Sequence, residues 1–175
     1  MKVIFLDHDG VICLSDQWGG RFKKKGFDSN PETPLDTRMD NFDAKAVKVL
    51  NSIIEETGCE IVTSSDWKRW GNLEQMQEMY TTRGIKPPIA LTPDLKWFDQ
   101  DMFHRLYFSN NFEQIRVFEI NEYLRNHPEV TQWVAIDDMD LSELANFIHC
   151  KKSYTEGIKQ SGLKDKILKF LKDDK

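Results

Sequence analysis

Three short stretches of the sequence end in side chains that can do chemistry. Asp7 and Asp9 follow Val3-Ile4-Phe5-Leu6, the hydroxyls Thr63, Ser64 and Ser65 follow Ile61-Val62, and Asp137 and Asp138 close Trp133-Val134-Ala135-Ile136. One residue separates Asp7 from Asp9, so on an extended chain their side chains share a face and, as the strand ends, can converge on one pocket. Carboxylates gathered without a counter-ion raise one another's pKa. A hard divalent cation relieves that repulsion, and oxygen-only ligands with retained waters suit Mg²⁺. Asp137 and Asp138 add carboxylates from a neighbouring strand.

The elements that must hold these groups are legible in the pattern around them. An unalternating apolar run cut off by polar residues and glycine suits a strand buried on both faces, which is the reading of Val3–Leu6, Ile61–Val62 and Trp133–Ile136. Between the first two, Ala46, Val49, Leu50, Ile53 and Ile54 mark one face of a helix that Gly58 stops. A helix is expected from Leu73 to Tyr80, and another from Phe112 to about His127, closed by Pro128. Further helices are expected over Leu141–Ile148 and through Leu163, Ile167, Leu168 and Leu171, while the aromatic-rich Trp97–Phe108 segment shows no clear period.

Alternating strands and helices predict an α/β fold: a Rossmann-like three-layer α/β/α sandwich on a mainly parallel central sheet. Ligands in such sheets bind at the carboxyl ends of the strands, where the chain order reverses. All three strands end there in reactive groups. The chain is expected to form a single domain over residues 1–175, with small insertions at about 15–41 and 71–110.

Composition narrows the function classes. The formal net charge is −5, with 39% hydrophobic and 30% charged residues, an ordinary globular composition. Mild acidity argues against gripping nucleic acid over a broad surface, and Arg21–Lys25 is the local basic stretch that remains. Cys13, Cys59 and Cys150 form no CxxC pair, so neither a zinc site nor a disulfide framework is indicated. The run before Asp7 is far too short for a signal peptide core, and no stretch reaches membrane-spanning length, so a cytoplasmic setting is expected. His8 should point away from its flanking aspartates and pack; most of the five tryptophans should be core, Trp18 being the exception.

Each motif also has a structural reading. DxDG begins calcium loops, but here Gly10 comes at loop position four rather than six, and Trp18 stands where the closing glutamate belongs. Thr63–Ser65 taken alone suits a helix N-cap, and Asp137-Asp138 alone could cap a helix beginning near Leu141. What weighs against these readings is that the three coincide at strand ends.

Taken together, Val3-Ile-Phe-Leu-Asp7-His-Asp9-Gly-Val-Ile12, Ile61-Val-Thr-Ser64 and Trp133-Val-Ala-Ile-Asp137-Asp138 resemble motifs I, II and IV of the haloacid dehalogenase (HAD) superfamily, in the right order. Ser-Ser-Asp-Trp67-Lys, the Arg116-x-x-Glu-Ile helix and Gly162-Leu163 are similar to the small HAD domains related to RNA repair proteins. The resemblance implies a small or absent cap and a role for each position. Asp7 is then the nucleophile that forms an aspartyl-phosphate. Asp9 is the general acid and base, and its backbone carbonyl reaches the metal. Ser64 holds a phosphoryl oxygen, with Thr63 and Ser65 as rivals. Asp137 is the principal metal ligand, with Asp138 second. Arg116 is the motif III cation, ahead of Lys96 and Arg125.

The function expected from this resemblance is hydrolysis of a phosphomonoester with Mg²⁺. An acid two residues after the nucleophile separates this reading from a dehalogenase. The phosphorylated substrate is left open among a small molecule, a nucleotide and a nucleic acid end, with no membrane or obligate protein partner. A phosphatase specific for 3′- or 5′-phosphorylated nucleic acid ends and an inactive HAD-like binding module are the alternatives.

Overall fold

In the computed structural model the described residues are 1–14, 35, 42–152 and 155–172. The segment 15–41 apart from Leu35, with Trp18 and Arg21–Lys25, lies outside them.

The apolar run after Met1 forms β1 (Lys2–Leu6), the middle of a sheet whose five strands are all parallel. On one side it pairs with β2 (Glu60–Thr63), and β2 pairs with β3 (Ala90–Leu91). On the other it pairs with β4 (Gln132–Asp137), which pairs with β5 (Phe147–His149). The order β3-β2-β1-β4-β5 therefore reverses direction at the β1/β4 pair.

Successive β1 side chains enter opposite layers, as the two-residue period of a strand requires. Ile4 and Leu6 join a core that takes in Leu50 and Ile53 of α1 (Ala44–Thr57), Met76 and Tyr80 of α2 (Leu73–Thr82), and Ile167 and Leu171 of the C-terminal helix. Val3 and Phe5 join Val117, Ile120 and Tyr123 on the other face. Helices thus cover both faces of a mostly parallel sheet, the predicted Rossmann-like arrangement. Gly58 ends α1 at φ 68°, the left-handed conformation a helix stop of this kind demands.

Between β3 and β4 lie α3 (Leu95–Phe98), α4 (Gln100–Phe108) and α5 (Phe112–Asn126); α6 (Leu163–Leu171) closes the fold. The Trp97–Phe108 stretch lacks a period because two helices meet within it. Asp99 ends α3 and caps α4, its side chain accepting a hydrogen bond from the Met102 amide at 2.9 Å. The pair packs through Leu95 and Leu106 onto Ile115 of α5 as a small core of its own.

Two expectations are corrected and one strand is added. Leu141–Ile148 is not a helix: Leu141 and Leu144 are buried by a turn, and Phe147–His149 is drawn onto β4 as a fifth strand. β3, two residues long, carries no periodicity and escapes sequence reading. Of the four described tryptophans, Trp67 is buried and Trp133 half-buried against the core, but Trp70 is 42% and Trp97 80% exposed.

Candidate active site

Asp7 stands one residue beyond β1 and still belongs to the ladder, its amide donating to the Ile136 carbonyl at 3.1 Å. Beyond it the chain turns sharply, with the His8 carbonyl accepting from the amides of Val11, Ile12 and Cys13 at 2.8–3.1 Å. Gly157 presses onto this turn at φ 50°. A Cβ there would lie 2.3 Å from the Val11 carbonyl oxygen, so only glycine fits.

His8 does point to the other face. It is fully buried, stacks on Trp67 with ring centroids 4.4 Å apart, and has Nε2 2.6 Å from the Tyr80 hydroxyl. The Trp67 indole in turn donates to Oδ2 of Asp9 at 2.8 Å. One stacked pair therefore fixes the second aspartate from beneath.

Carboxylate oxygens of Asp7, Asp137 and Asp138 all lie within 4.8 Å of one another at the β1/β4 switch point. Asp7 and Asp137 are buried and Asp138 is half-buried. Burial, reinforced by the Asp137 charge and opposed by Arg116, holds the Asp7 carboxyl well above its ordinary range. Burial pushes Asp137 up to about 6 against the pull of Arg116, and burial with the nearby Asp7 pushes Asp138 up to about 7. Three mutually repelling carboxylates with oxygen donors and one open side fit a hard divalent cation.

Arg116, in the first half of α5, is the cation that the described residues bring into the site. Its Nη1 lies 2.7 Å from Asp137 Oδ2 and 3.2 Å from Asp7 Oδ1, and donates to the Ser64 carbonyl at 2.6 Å. Its other terminal nitrogen, Nη2, is 3.7 Å from Asp66. These carboxylates more than offset the cost of burying the guanidinium and raise its already high pKa. The other two candidates lie elsewhere. Arg125 is 73% exposed in its side chain and pairs with Glu122, and Lys96 sits over the ring of Trp97 at 4.9 Å.

The hydroxyl residues end β2 beside Asp7, where the Ser64 amide donates to the Leu6 carbonyl at 2.9 Å. A cavity of about 220 Å³ opens over the aspartates, lined by Asp7, Asp9, Ser65, Asp66, Arg116, Asp138 and Met139. Ser65 is the member of the hydroxyl trio that reaches it. Thr63 and Ser64 are buried beneath, and the Ser64 hydroxyl has no hydrogen-bond partner among the described residues.

Asp66, Trp67 and Lys68 have no individual role legible in the sequence, although their segment carries part of the family resemblance. They form a single turn of 3₁₀ helix, Asp66–Arg69, that starts from Ser65. The side chain of Lys68 is buried and pairs with Glu119 at 2.5 Å, while also donating to Thr92 Oγ1 at 3.0 Å and the Pro93 carbonyl at 3.2 Å. Glu119 carried no signal of its own. Only its position three residues after Arg116, on the same face of α5, relates it to the site.

A parallel sheet with helices on both faces and an aspartate cluster at its switch point defines a HAD-like, Rossmann-like core suited to phosphoryl transfer, and supports a hydrolase. The family model described as the HAD domain in Swiss Army Knife RNA repair proteins matches residues 3–163, and the chain belongs to that family. No curated protein and no solved structure matches the chain. No helix among the described residues is long and apolar enough to cross a membrane.

Proposed function

We propose that this chain is a Mg²⁺-dependent phosphatase that removes a terminal phosphate from a nucleic acid end through an aspartyl-phosphate on Asp7. The observation that carries the chemistry is the contact of one guanidinium with both Asp7 and Asp137 inside the aspartate cluster. A buried carboxylate beside a fixed cation can approach an anionic phosphate, because the cation offsets the charge that accumulates in the transition state.

In the first step an Asp7 oxygen attacks phosphorus and the bond from phosphorus to the leaving oxygen breaks. Asp9, held by the Trp67 indole, gives that oxygen its proton. In the second step Asp9 takes a proton from water as the water oxygen attacks phosphorus, releasing phosphate and restoring Asp7. Asp137 and Asp138, with Asp7 and the backbone carbonyl of Asp9, would hold Mg²⁺, which supplies neutralising positive charge when bound. Arg116 orients Asp7 and meets a phosphoryl oxygen. Ser65 takes the hydroxyl contact to the phosphoryl group, supported by its place in the cavity wall.

The family description points to the substrate class: RNA repair favours a nucleic acid end over an arbitrary phosphomonoester. An inactive binding module fits less well, since Asp7, Asp9, Arg116, Asp137 and Asp138 are all present and four of them line one cavity. Burial of the free thiols Cys13, Cys59 and Cys150 agrees with a reducing, cytoplasmic setting. The substrate claim is tested by comparing 3′- and 5′-phosphorylated oligonucleotides with mononucleotides. Higher kcat/KM on one oligonucleotide end is the expected result; preference for mononucleotides would remove the nucleic acid reading.

A further inference from the structure

A second and larger cavity, about 680 Å³, lies beside the candidate site. Its volume falls in the range of roughly 300–1,000 Å³ typical of ligand pockets. Its rim is unusual for a soluble protein: Trp97 and Phe108 both line it, and each is 80% exposed. The rings stand on α3 and α4, whose buried residues Leu95 and Leu106 anchor both helices to Ile115 of α5, so the platform is fixed rather than draped. Cations accompany the rings. Lys96 lies 4.9 Å from the centroid of Trp97, and Arg69 lies 5.9 Å from that of Phe103.

The groove adjoins the site across the turn Asp66–Arg69. Asp66 lines the catalytic cavity, while Lys68 and Arg69 line the groove. Arg69 spans the join, 3.7 Å from Asp66 on one side and 3.7 Å from Asp94 on the other. The charge is mixed, since Asp94 faces Arg69 and Glu119 neutralises Lys68. Such a surface does not grip a polyanion by charge alone. It does suit unpaired bases, because base–aromatic stacking tolerates any sequence and needs few phosphate contacts.

We propose that this groove is a strand-binding subsite: a single-stranded nucleic acid leads away from the reacting phosphate with its bases stacked on Trp97 and Phe108. The subsite's orientation rests on the phosphatase reading above, but the stacking does not. Arg69 and Lys96 meet the strand's phosphates, so binding weakens only modestly as salt rises.

The test uses the full chain and a fluorescein-labelled single-stranded hexanucleotide without a terminal phosphate, followed by anisotropy. Trp97→Leu and Phe108→Leu are each expected to weaken binding about tenfold, the order set by loss of one stacked base. Both rings are exposed, so the variants should melt as the parent does. Trp97→Phe keeps a ring and should bind within about threefold of the parent, as stacking on any aromatic face requires. Parent-like binding by Trp97→Leu overturns the proposal, as does failure of Trp97→Phe to bind better than Trp97→Leu; either result would mark the patch as a generic apolar surface for a protein partner. The two readings fail separately. Trp97-dependent binding without phosphate release from any substrate would sink the phosphatase and leave the groove. Asp7-dependent phosphate release with ring-independent binding would do the reverse.

Discussion

Arg116 Nη1 donates to Oδ2 of Asp137 at 2.7 Å, tying the first half of α5 to the last residue of β4. The same nitrogen touches Asp7, so one side chain sets the relative position of the two central strand ends. Arg116→Lys keeps a charge but loses the planar fork that reaches several oxygens at once. Turnover is expected to fall about 10²–10³-fold, the usual cost of losing a preorganised charge-stabilising donor. Arg116→Ala should fall at least as far and lose about 3–5 kcal/mol in a denaturant titration, because it leaves buried carboxylates unpaired. Parent-like kcat in Arg116→Lys would show that the guanidinium acts only as a strut.

The raised carboxylates set a pH dependence whose sign can be worked out. Asp137 and Asp138 sit near 6 and 7 when folded against an ordinary 3.8. Between those values the native state holds more protons than the unfolded state, so their contribution to stability is present at low pH and lost as pH rises through 6 to 7. A divalent cation held by the deprotonated cluster should restore what is lost. The melting temperature of chelator-treated protein is expected to drop between about pH 5 and pH 8, and Mg²⁺ to raise it more at the higher pH. An equal Mg²⁺ effect at both would contradict the cluster as the cation site.

Lys68 and Glu119 form a buried pair that holds the turn after β2 against α5, three residues from Arg116. Burial pulls the Lys68 ammonium below its usual range while the Glu119 charge resists. Glu119→Gln is expected to cost about 3–5 kcal/mol by chemical denaturation, whereas the double replacement Lys68→Met, Glu119→Leu should recover much of that loss. Additive losses in the double variant would mean that the two side chains do not act as a pair.

Much of this architecture could be read from the chain because its strongest signals are long or doubly constrained. β1 and β4 are buried on both faces and show as unbroken apolar runs, and α1 carries five apolar positions on one face before Gly58. Asp7, Asp137 and Asp138 were legible because polar residues that end a buried parallel strand fall at the carboxyl end of the sheet, where ligands bind. The short elements were not. β3 and β5 span two and three residues, and their strand state comes from pairing with β2 and β4 rather than from local pattern. Trp97 misled for a different reason: apolar type usually signals burial, and here its ring faces solvent beside the site. Lys68 and Glu119, 51 residues apart, are joined only by the fold.

The central claim is that Asp7 is a nucleophile in a metal-dependent phosphatase. The most direct measurement is phosphate release from p-nitrophenyl phosphate by the parent chain and Asp7→Asn, each with and without Mg²⁺. Release that requires Mg²⁺ and falls to background in Asp7→Asn, while the variant keeps its fold by circular dichroism, is the predicted result. Equal release by Asp7→Asn, or none from the parent with any divalent cation on this substrate or on phosphorylated oligonucleotides, would contradict the account.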